Sequence, residues 1–262
     1  MSAPTFERLH YEQADGLATI TLARPEKRNA LDDLLLRELL TAVATADATP
    51  EVRVLLLRGD GADFCAGVDL AQLERITSGA GAIENLEDAG LLGELLILMR
   101  RIEKPIVAAV HGHAVAGGAG LATACDVVLA RDDAHFGYPE VHLGFVPAMV
   151  MALLRRSVGE KRAFDLVARG ARIDAAEAER LGLVTRVIPA ASFETDVASY
   201  VHELAARSPS ALRLIKRLFY GIDGVSFEEA VHRGAEVNAL ARLTPDTQEG
   251  VRRFLERSRE QE

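Results

Sequence analysis

The stretch KPIVAAVHGHAVAGGAGLATACDVVLARDDAHFGYPEVHLGFVP, residues 104–147, decides the fold. Ile106–Val110 is a short apolar run bounded by Pro105 and by His111-Gly112, which predicts a buried strand. Gly117, Gly118 and Gly120 follow, and a helix starting there runs on through Leu121 and Ala124. Such a helix start aims free N–H groups and the positive end of its dipole forward, which suits a phosphate or an oxyanion. A further strand and a loop with one carboxylate, Glu140, complete the stretch.

Working outward, Phe6–Tyr11 and Leu17–Leu22 alternate at period two around Ala14-Asp15-Gly16, a hairpin signal. Arg24-Pro25-Glu26-Lys27-Arg28-Asn29 is a basic turn, and Asp32 or Asp33 caps a helix with Leu35, Leu36, Leu39, Leu40 and Val43 at helical spacing. Val52–Leu57 reads as a second buried strand, followed by the turn GDGADFCAG and a helix from Val68 towards Ile76. Strand, glycine turn and helix thus occur twice, at Val54…Gly67-Val68 and Ile106…Gly117-Gly118, so two helix starts can face one site. Thr77–Asp88, rich in Gly, Ala, Ser and acids, is expected to be a mobile loop. Leu91–Ile102 reads as a helix. Beyond Pro147, helices are expected at Val150–Leu154, Ala163–Val167 and Ala175–Leu181, with a strand at Leu183–Ile188. From Phe193 onward nearly everything is helical, so residues 1–189 form an α/β core and 190–262 a helical C-terminal region.

Of 262 residues 49% are hydrophobic, enough for one large domain or a domain with an appendage. The net charge of −9, with no basic block, argues against sequence-independent binding to nucleic acid or an anionic membrane. Cys65 and Cys125 lie in apolar surroundings and read as buried thiols, which favours a reducing, cytoplasmic setting. The N-terminus is charged where a signal peptide needs an apolar core, and Leu91–Met99 is too short to span a bilayer.

There is no G-x-S-x-G, no G-x-x-x-x-G-K-[ST] and no G-x-G-x-x-G, which leaves a nucleophile-elbow hydrolase, a P-loop and a dinucleotide site unsupported. His111-Gly112-His113 lacks a third ligand for a metal. The two glycine turns and Glu140 are the remaining chemical candidates. Lodged among Phe136, Tyr138, Val141, Phe145 and Val146, the Glu140 carboxyl is expected to be pushed up by desolvation and poised for proton transfer; the plain alternative is a solvated loop glutamate.

FCAGVDL at 64–70, KPIVAAVHGHAVAGGAGLATACDVVLA at 104–130, FGYPEVHLGFVP at 136–147 and AAEAERLGLVTRVIP at 175–189 together resemble the crotonase, or enoyl-CoA hydratase/isomerase, family. The likeness runs from ARPEKRNAL at 23–31 to EGVRRFLERS at 249–258, although the family's usual Lys-Arg-x-Pro ending is missing. It implies an α/β fold, a crotonase-like spiral of ββα units with a helical C-terminal trimerisation region. It implies an acyl-CoA thioester substrate, no separate cofactor, and a homotrimer or dimer of trimers. By motif position the thioester oxygen sits between the backbone N–H groups of Val68 and Gly117, with Glu140 as acid/base. Arg24, Lys27 and Arg28 lie where relatives hold the adenosine-phosphate end of coenzyme A, and the substrate-binding set extends to Ala30, Ala66, Asp69, Leu70, His113 and Gly118.

Two-carboxylate hydratases of the family carry a first glutamate where this chain has Gly120. One carboxylate most simply moves a proton between two carbons, which leans towards isomerisation. GGAGL at 117–121 with PEVHLGFVPAMV at 139–150 nevertheless resembles a hydratase branch that acts on branched or carboxylated enoyl-CoAs and also lacks that residue. There Glu140 works nearly alone or with a polar neighbour, His113 or His142; His142 faces the same side if the segment is extended. The expectation is therefore hydration of an enoyl-CoA, with enoyl-CoA isomerisation and non-catalytic acyl-CoA binding as alternatives. Acyl length, branching and carboxylation have no readable signature in Thr77–Leu92.

Overall fold

The computed structural model describes residues 5–79 and 81–259. Its elements, in chain order, are β1 (Leu9–Ala14), β2 (Leu17–Leu22), α1 (Asp33–Ala48), β3 (Val54–Gly59), α2 (Leu70–Thr77), α3 (Ala82–Arg101), β4 (Ile106–Val110), β5 (His113–Val115), α4 (Gly117–Ala124), β6 (Val127–Arg131) and β7 (His135–Gly137). Then come α5 (Ala148–Val158), α6 (Glu160–Arg169), β8 (Arg172–Asp174), α7 (Ala175–Leu181), β9 (Arg186–Ile188), α8 (Phe193–Ala205), α9 (Pro209–Gly221), α10 (Phe227–Arg242) and α11 (Pro245–Arg259).

A six-stranded sheet runs β1-β2-β3-β4-β6-β9, with β1 antiparallel to β2 and the remaining pairs parallel. The central strands are apolar on both faces, as parallel strands covered on both sides must be. On one face Ile20, Leu55, Leu57, Ala108 and Val110 pack against α1, α3 and α4. On the other, Val54, Leu56, Val107, Ala109 and Leu129 meet Phe193, Val197 and Val201 of α8. Truncating a fully buried leucine such as Leu35 or Leu95 to alanine costs about 2–5 kcal/mol.

A second, three-stranded sheet, β5-β7-β8, lies beside the first. Two successive turns of the spiral contribute one strand to the large sheet, one short strand to the small one, and then a helix: β4-β5-α4 is followed by β6-β7 and α5. In the turn before, Cys65 makes a single parallel bridge to Ala114 and occupies the short-strand place. The expected spiral of ββα units is therefore present. The small sheet itself was not foreseen, because strands of three residues are too short to show an alternation.

Several boundaries differ from the sequence reading. The hairpin begins at Leu9 instead of Phe6, and β3 at Val54 instead of Val52. The loop expected over Thr77–Asp88 is mostly helix: α3 starts at Ala82, its first turn closed by the Gly81 N–H bonding to Glu84 Oε2 at 3.0 Å. Ala80, in that same stretch, lies outside the described residues. Asp32 is the cap of α1, accepting the Leu35 N–H at 2.8 Å.

The helix α9 is fastened to the core by a buried cation. Lys216 Nζ lies 2.8 Å from Asp126 Oδ2 and donates to the Met99 and Lys104 carbonyls at 2.9 Å each. Tyr220 OH donates to Asp126 Oδ1 at 2.6 Å. Desolvation pulls the Lys216 ammonium down from its ordinary range, opposed by Asp126.

Candidate functional site

The segments Cys65–Asp69 and Val115–Gly118 meet edge to edge. Val115 N–H bonds to the Cys65 carbonyl at 3.0 Å, and Gly67 is so close to the second turn that a Cβ there would lie 3.4 Å from Gly117 N. Gly67 has φ +90°, which a residue with a side chain adopts only under strain. Gly118 has no room either: its Cβ would sit 2.7 Å from Cys65 Cβ and 2.8 Å from Cys65 Sγ.

These contacts fix where two backbone N–H groups point. Leu31 donates to the Gly67 carbonyl at 2.7 Å and accepts from Asp69 N–H at 2.9 Å, a parallel bridge centred on Val68. In such a bridge the N–H of the central residue faces away from the partner strand. Val68 N–H accordingly has no backbone acceptor among the described residues. Gly117 is the first residue of α4, whose leading N–H groups find no carbonyl within their own helix. Ala116, between β5 and α4, is held at φ 52° and ψ −122°, a conformation that costs a non-glycine residue about 1–3 kcal/mol. Its N–H bonds to the Gly137 carbonyl at 2.8 Å.

That bond ties the turn to the segment carrying Glu140. Beyond Gly137, Tyr138 is fully buried and donates its hydroxyl to Thr123 Oγ1 at 3.0 Å, Thr123 being engaged in turn with the Ala119 carbonyl. Residues Pro139–Leu143 then form a 3₁₀ turn closed by Gly144 at φ 76°. Glu140 is half-buried on this turn; its Oε2 is enclosed and has no hydrogen-bond partner. Desolvation raises the Glu140 carboxyl above its ordinary range, partly offset by a hydrogen bond from its own backbone. An enclosed carboxyl oxygen without a partner is costly for folding alone.

The expected substrate-binding residues divide. Lys27 and Arg28 are exposed: Lys27 ends a 3₁₀ turn, Pro25–Lys27, and Arg28 and Asn29, which follow it, both have positive φ. Arg24 is buried: its guanidinium donates to the Ala30 carbonyl at 2.5 Å and to Asp69 Oδ2 at 2.9 Å, and lies 3.1 Å from Asp32. Asp69 also caps α2 by accepting Ala71 N–H at 2.9 Å. The side chains of Arg24 and Asp69 thus tie the basic turn to α2. Ala66 N–H bonds to the Arg28 carbonyl at 2.9 Å, Ala30 is buried, and Leu70 is largely exposed.

His113 is held by Asp63, which the sequence reading did not single out. Asp63 Oδ1 accepts from the His113 backbone N–H at 3.0 Å and from its Nδ1 at 2.7 Å, while Arg28 Nε donates to Oδ2 at 2.6 Å. Burial alone would raise the Asp63 carboxyl; the bonds from Arg28 and His113 outweigh it and bring it down to about 2. An ionised carboxylate only accepts, so Nδ1 of His113 carries a proton. His142 does not share a side with Glu140. The segment is a 3₁₀ turn, not extended, and at three residues per turn i and i+2 point apart. The His142 ring instead packs on Gly170, its Nε2 2.6 Å from where a Cβ would stand.

At Gly120 a Cβ would lie 2.6 Å from Val150 Cγ2, so α5 occupies the space a side chain there would need. Among the described residues no group of three His, Cys, Asp or Glu side chains is arranged to hold a metal ion, and no helix is long and apolar enough to cross a membrane.

Residues 12–261 match the family model described as enoyl-CoA hydratase/isomerase. Over 241 residues the chain is 43% identical to a Thermus thermophilus protein provisionally named an enoyl-CoA hydratase, covering 92% of this chain and 95% of that one. It is 32% identical to the crotonyl-CoA hydratase of Syntrophomonas wolfei, covering 96% of each. The crystal structure of an enoyl-CoA hydratase from Mycobacterium smegmatis superposes with a TM-score of 0.91 at 29% identity, covering 96% of this chain and 97% of that one.

Proposed function

Because the chain belongs to the enoyl-CoA hydratase/isomerase family, we propose that it adds water across the α,β double bond of an enoyl-CoA thioester. Val68 N–H and Gly117 N–H hold the thioester oxygen. The Glu140 carboxylate takes a proton from water as the water oxygen bonds to the β carbon, and the negative charge moves onto the held oxygen. Glu140, now protonated, returns that proton to the α carbon. Two donors placed on developing charge are each worth about 10²–10³ in rate. The reaction is a proton transfer next to an oxyanion and calls on no cofactor beyond the coenzyme A of the substrate.

The observation that carries this reading is the meeting of the two turns at Gly67 and Gly117, with Glu140 tied to the same turn through the Ala116–Gly137 bond. Lys27 and Arg28 are assigned to the phosphate-bearing end of coenzyme A, being the exposed cations of the turn. Ala30, Ala66, Leu70 and Gly118 line the thioester path, and His113 orders the wall beside it. The exposed Phe219, Phe227, Leu243 and Phe254 on or beside α9–α11 support a homotrimer or a dimer of trimers, and the two buried free thiols, Cys65 and Cys125, support a cytoplasmic setting.

Isomerisation is the second reading, favoured by Val150 filling the place of a further carboxylate at Gly120. Crotonyl-CoA separates the two. Loss of its α,β-enoyl absorbance, abolished in Glu140→Gln, establishes hydration. Inertness to crotonyl-CoA together with gain of that band from a 3-enoyl-CoA would replace it by isomerisation.

A further inference from the structure

Two peptide groups stand in series behind the Val68 N–H. The peptide joining Ala30 to Leu31 donates its N–H to the Gly67 carbonyl at 2.7 Å. That carbonyl belongs to the same planar unit as Val68 N–H and, the peptide being trans, points the opposite way. At the other end, the carbonyl of the peptide joining Ala30 to Leu31 accepts from Arg24 Nη1 at 2.5 Å. The order is therefore guanidinium, first peptide, second peptide, and then the N–H of Val68. Hydrogen bonds in such a chain polarise one another, so a cation at the carbonyl end makes the last N–H a stronger donor, by about 10–30% per bond.

The same guanidinium grips the other side of Val68. Its Nη2 donates to Asp69 Oδ2 at 2.9 Å, and Asp69 N–H reaches the Leu31 carbonyl at 2.9 Å. Nη1 also lies 3.1 Å from Asp32 Oδ2, and Asp32 caps α1. The head of Arg24 is thus fixed at once to α1, to the Ala30-Leu31 segment and to the start of α2. Burial alone would raise the Asp69 carboxyl; the Ala71 N–H and Arg24 outweigh it and bring it below the ordinary aspartate range. Two carboxylates offset most of the arginine's field at a distance, which leaves the hydrogen-bonded chain as its route to the site. Arg24 is only 6% exposed, so, unlike its neighbours Lys27 and Arg28, it is not placed to meet a phosphate in solvent.

We propose that Arg24 is a positioning residue for the reaction: through two peptide units it aims and polarises the Val68 N–H that holds the thioester oxygen, and it takes no part in holding coenzyme A. The proposal rests on the enoyl-CoA reading above and adds a residue to it. Asp69 and Asp32 hold the guanidinium in the one orientation that reaches the Ala30 carbonyl.

The test compares crotonyl-CoA with crotonyl-N-acetylcysteamine, which keeps the thioester and lacks the nucleotide with its phosphates. Arg24→Met is expected to lower kcat on the first and kcat/KM on the second by the same factor, about 10- to 100-fold, with KM for crotonyl-CoA little changed. The complete loss of one oxyanion donor, about 10²–10³, is the ceiling. Arg24→Lys, which keeps the charge and loses the fork, should fall between parent and Arg24→Met. A second readout needs no turnover: the carbonyl stretch of bound butyryl-CoA, labelled with carbon-13 at that carbonyl, in infrared difference spectra. It should lie below the free ester's in the parent and move back up in both variants. A merely structural Arg24 would lower the melting temperature and leave the stretch and the kcat of the folded protein as they were, and that result overturns the proposal. So does a rise in KM confined to crotonyl-CoA, which would return Arg24 to the phosphates. Arg24→Met strands two buried carboxylates; if it does not fold, Arg24→Lys decides, and an unmoved stretch overturns the proposal. If no enoyl-CoA is hydrated, the proposed reaction fails, while a butyryl-CoA stretch that moves in Arg24→Lys still supports the chain of bonds and one that stays overturns it.

Discussion

A Cβ on Gly67 would lie 2.9 Å from the Cβ of Ala116 and 2.8 Å from the Val115 carbonyl oxygen, so the two turns touch where only hydrogen fits. Gly67→Ala must therefore push them apart, and its φ of +90° adds strain. Turnover of crotonyl-CoA is expected to fall about 10²–10³-fold, the effect of losing one oxyanion donor. A variant that folds and keeps full kcat would show that the spacing of Val68 and Gly117 is unimportant.

Ala116 is a strained residue at the head of α4. Ala116→Gly removes about 1–3 kcal/mol of strain against about 0.5–1 kcal/mol of extra chain entropy. Its melting temperature should hold or rise, while Ala116→Val lowers both melting temperature and turnover. Scanning calorimetry checks the sign; a clear drop for the glycine variant would mean the geometry is unstrained.

Glu140 is raised by burial, so hydration, which needs the carboxylate first, should fail as pH drops through a value above the ordinary glutamate range. The same shift sets the sign for stability. As pH rises through the glutamate range the unfolded chain ionises first, so this group costs stability at neutral pH. Glu140→Gln should lose about 10²–10⁴ in kcat, yet melt no lower than the parent at pH 7. A pH–rate profile and a melting curve decide both.

Asp63 works the other way. Its carboxyl is lowered to about 2, so its stabilisation is complete above the ordinary aspartate range and lost as pH falls through about 2. Asp63→Asn should cost about 1.5–3 kcal/mol near neutrality and flatten the acid-unfolding curve in that window. It should also free His113 and Arg28, seen as loss of the Asp63-bound His113 Nδ1–H signal in the NMR spectrum. An unaltered acid-unfolding curve would remove Asp63 from the account.

The long elements were legible because their chemistry is local. Ile106–Val110 and Gly117–Ala124 were bounded by Pro105, His111-Gly112 and the glycines, and both occur as read. Glu140 was singled out because it is a lone acid among the apolar residues of FGYPEVHLGFVP, where desolvation was expected against the plain alternative of a solvated loop glutamate. What escaped depends on partners far along the chain. Strands β5, β7 and β8 are three residues each and exist only through their pairing. Asp63 meets His113 across fifty positions, which no spacing rule joins. The first turns of α3 were hidden because glycine, alanine and serine mark a loop locally, while burial of Leu92, Leu95 and Met99 pulls the segment into helix.

Gly120 and Val150 give a last test. Gly120→Glu alone forces a Cβ to 2.6 Å from Val150 Cγ2 and should destabilise the fold by about 1–3 kcal/mol. Adding Val150→Ala should recover most of that loss, measured by denaturant unfolding. Equal stability of the single and double variants would mean that α5 yields without cost.

That clash also bears on ancestry. A lineage passing between one acid and two at this centre meets a trough: the new acid is harmful until the valine opposite has shrunk, and the shrunken valine leaves a void until the acid arrives. Chains on either side of the divide are therefore expected to differ at both positions together, and intermediates should be rare.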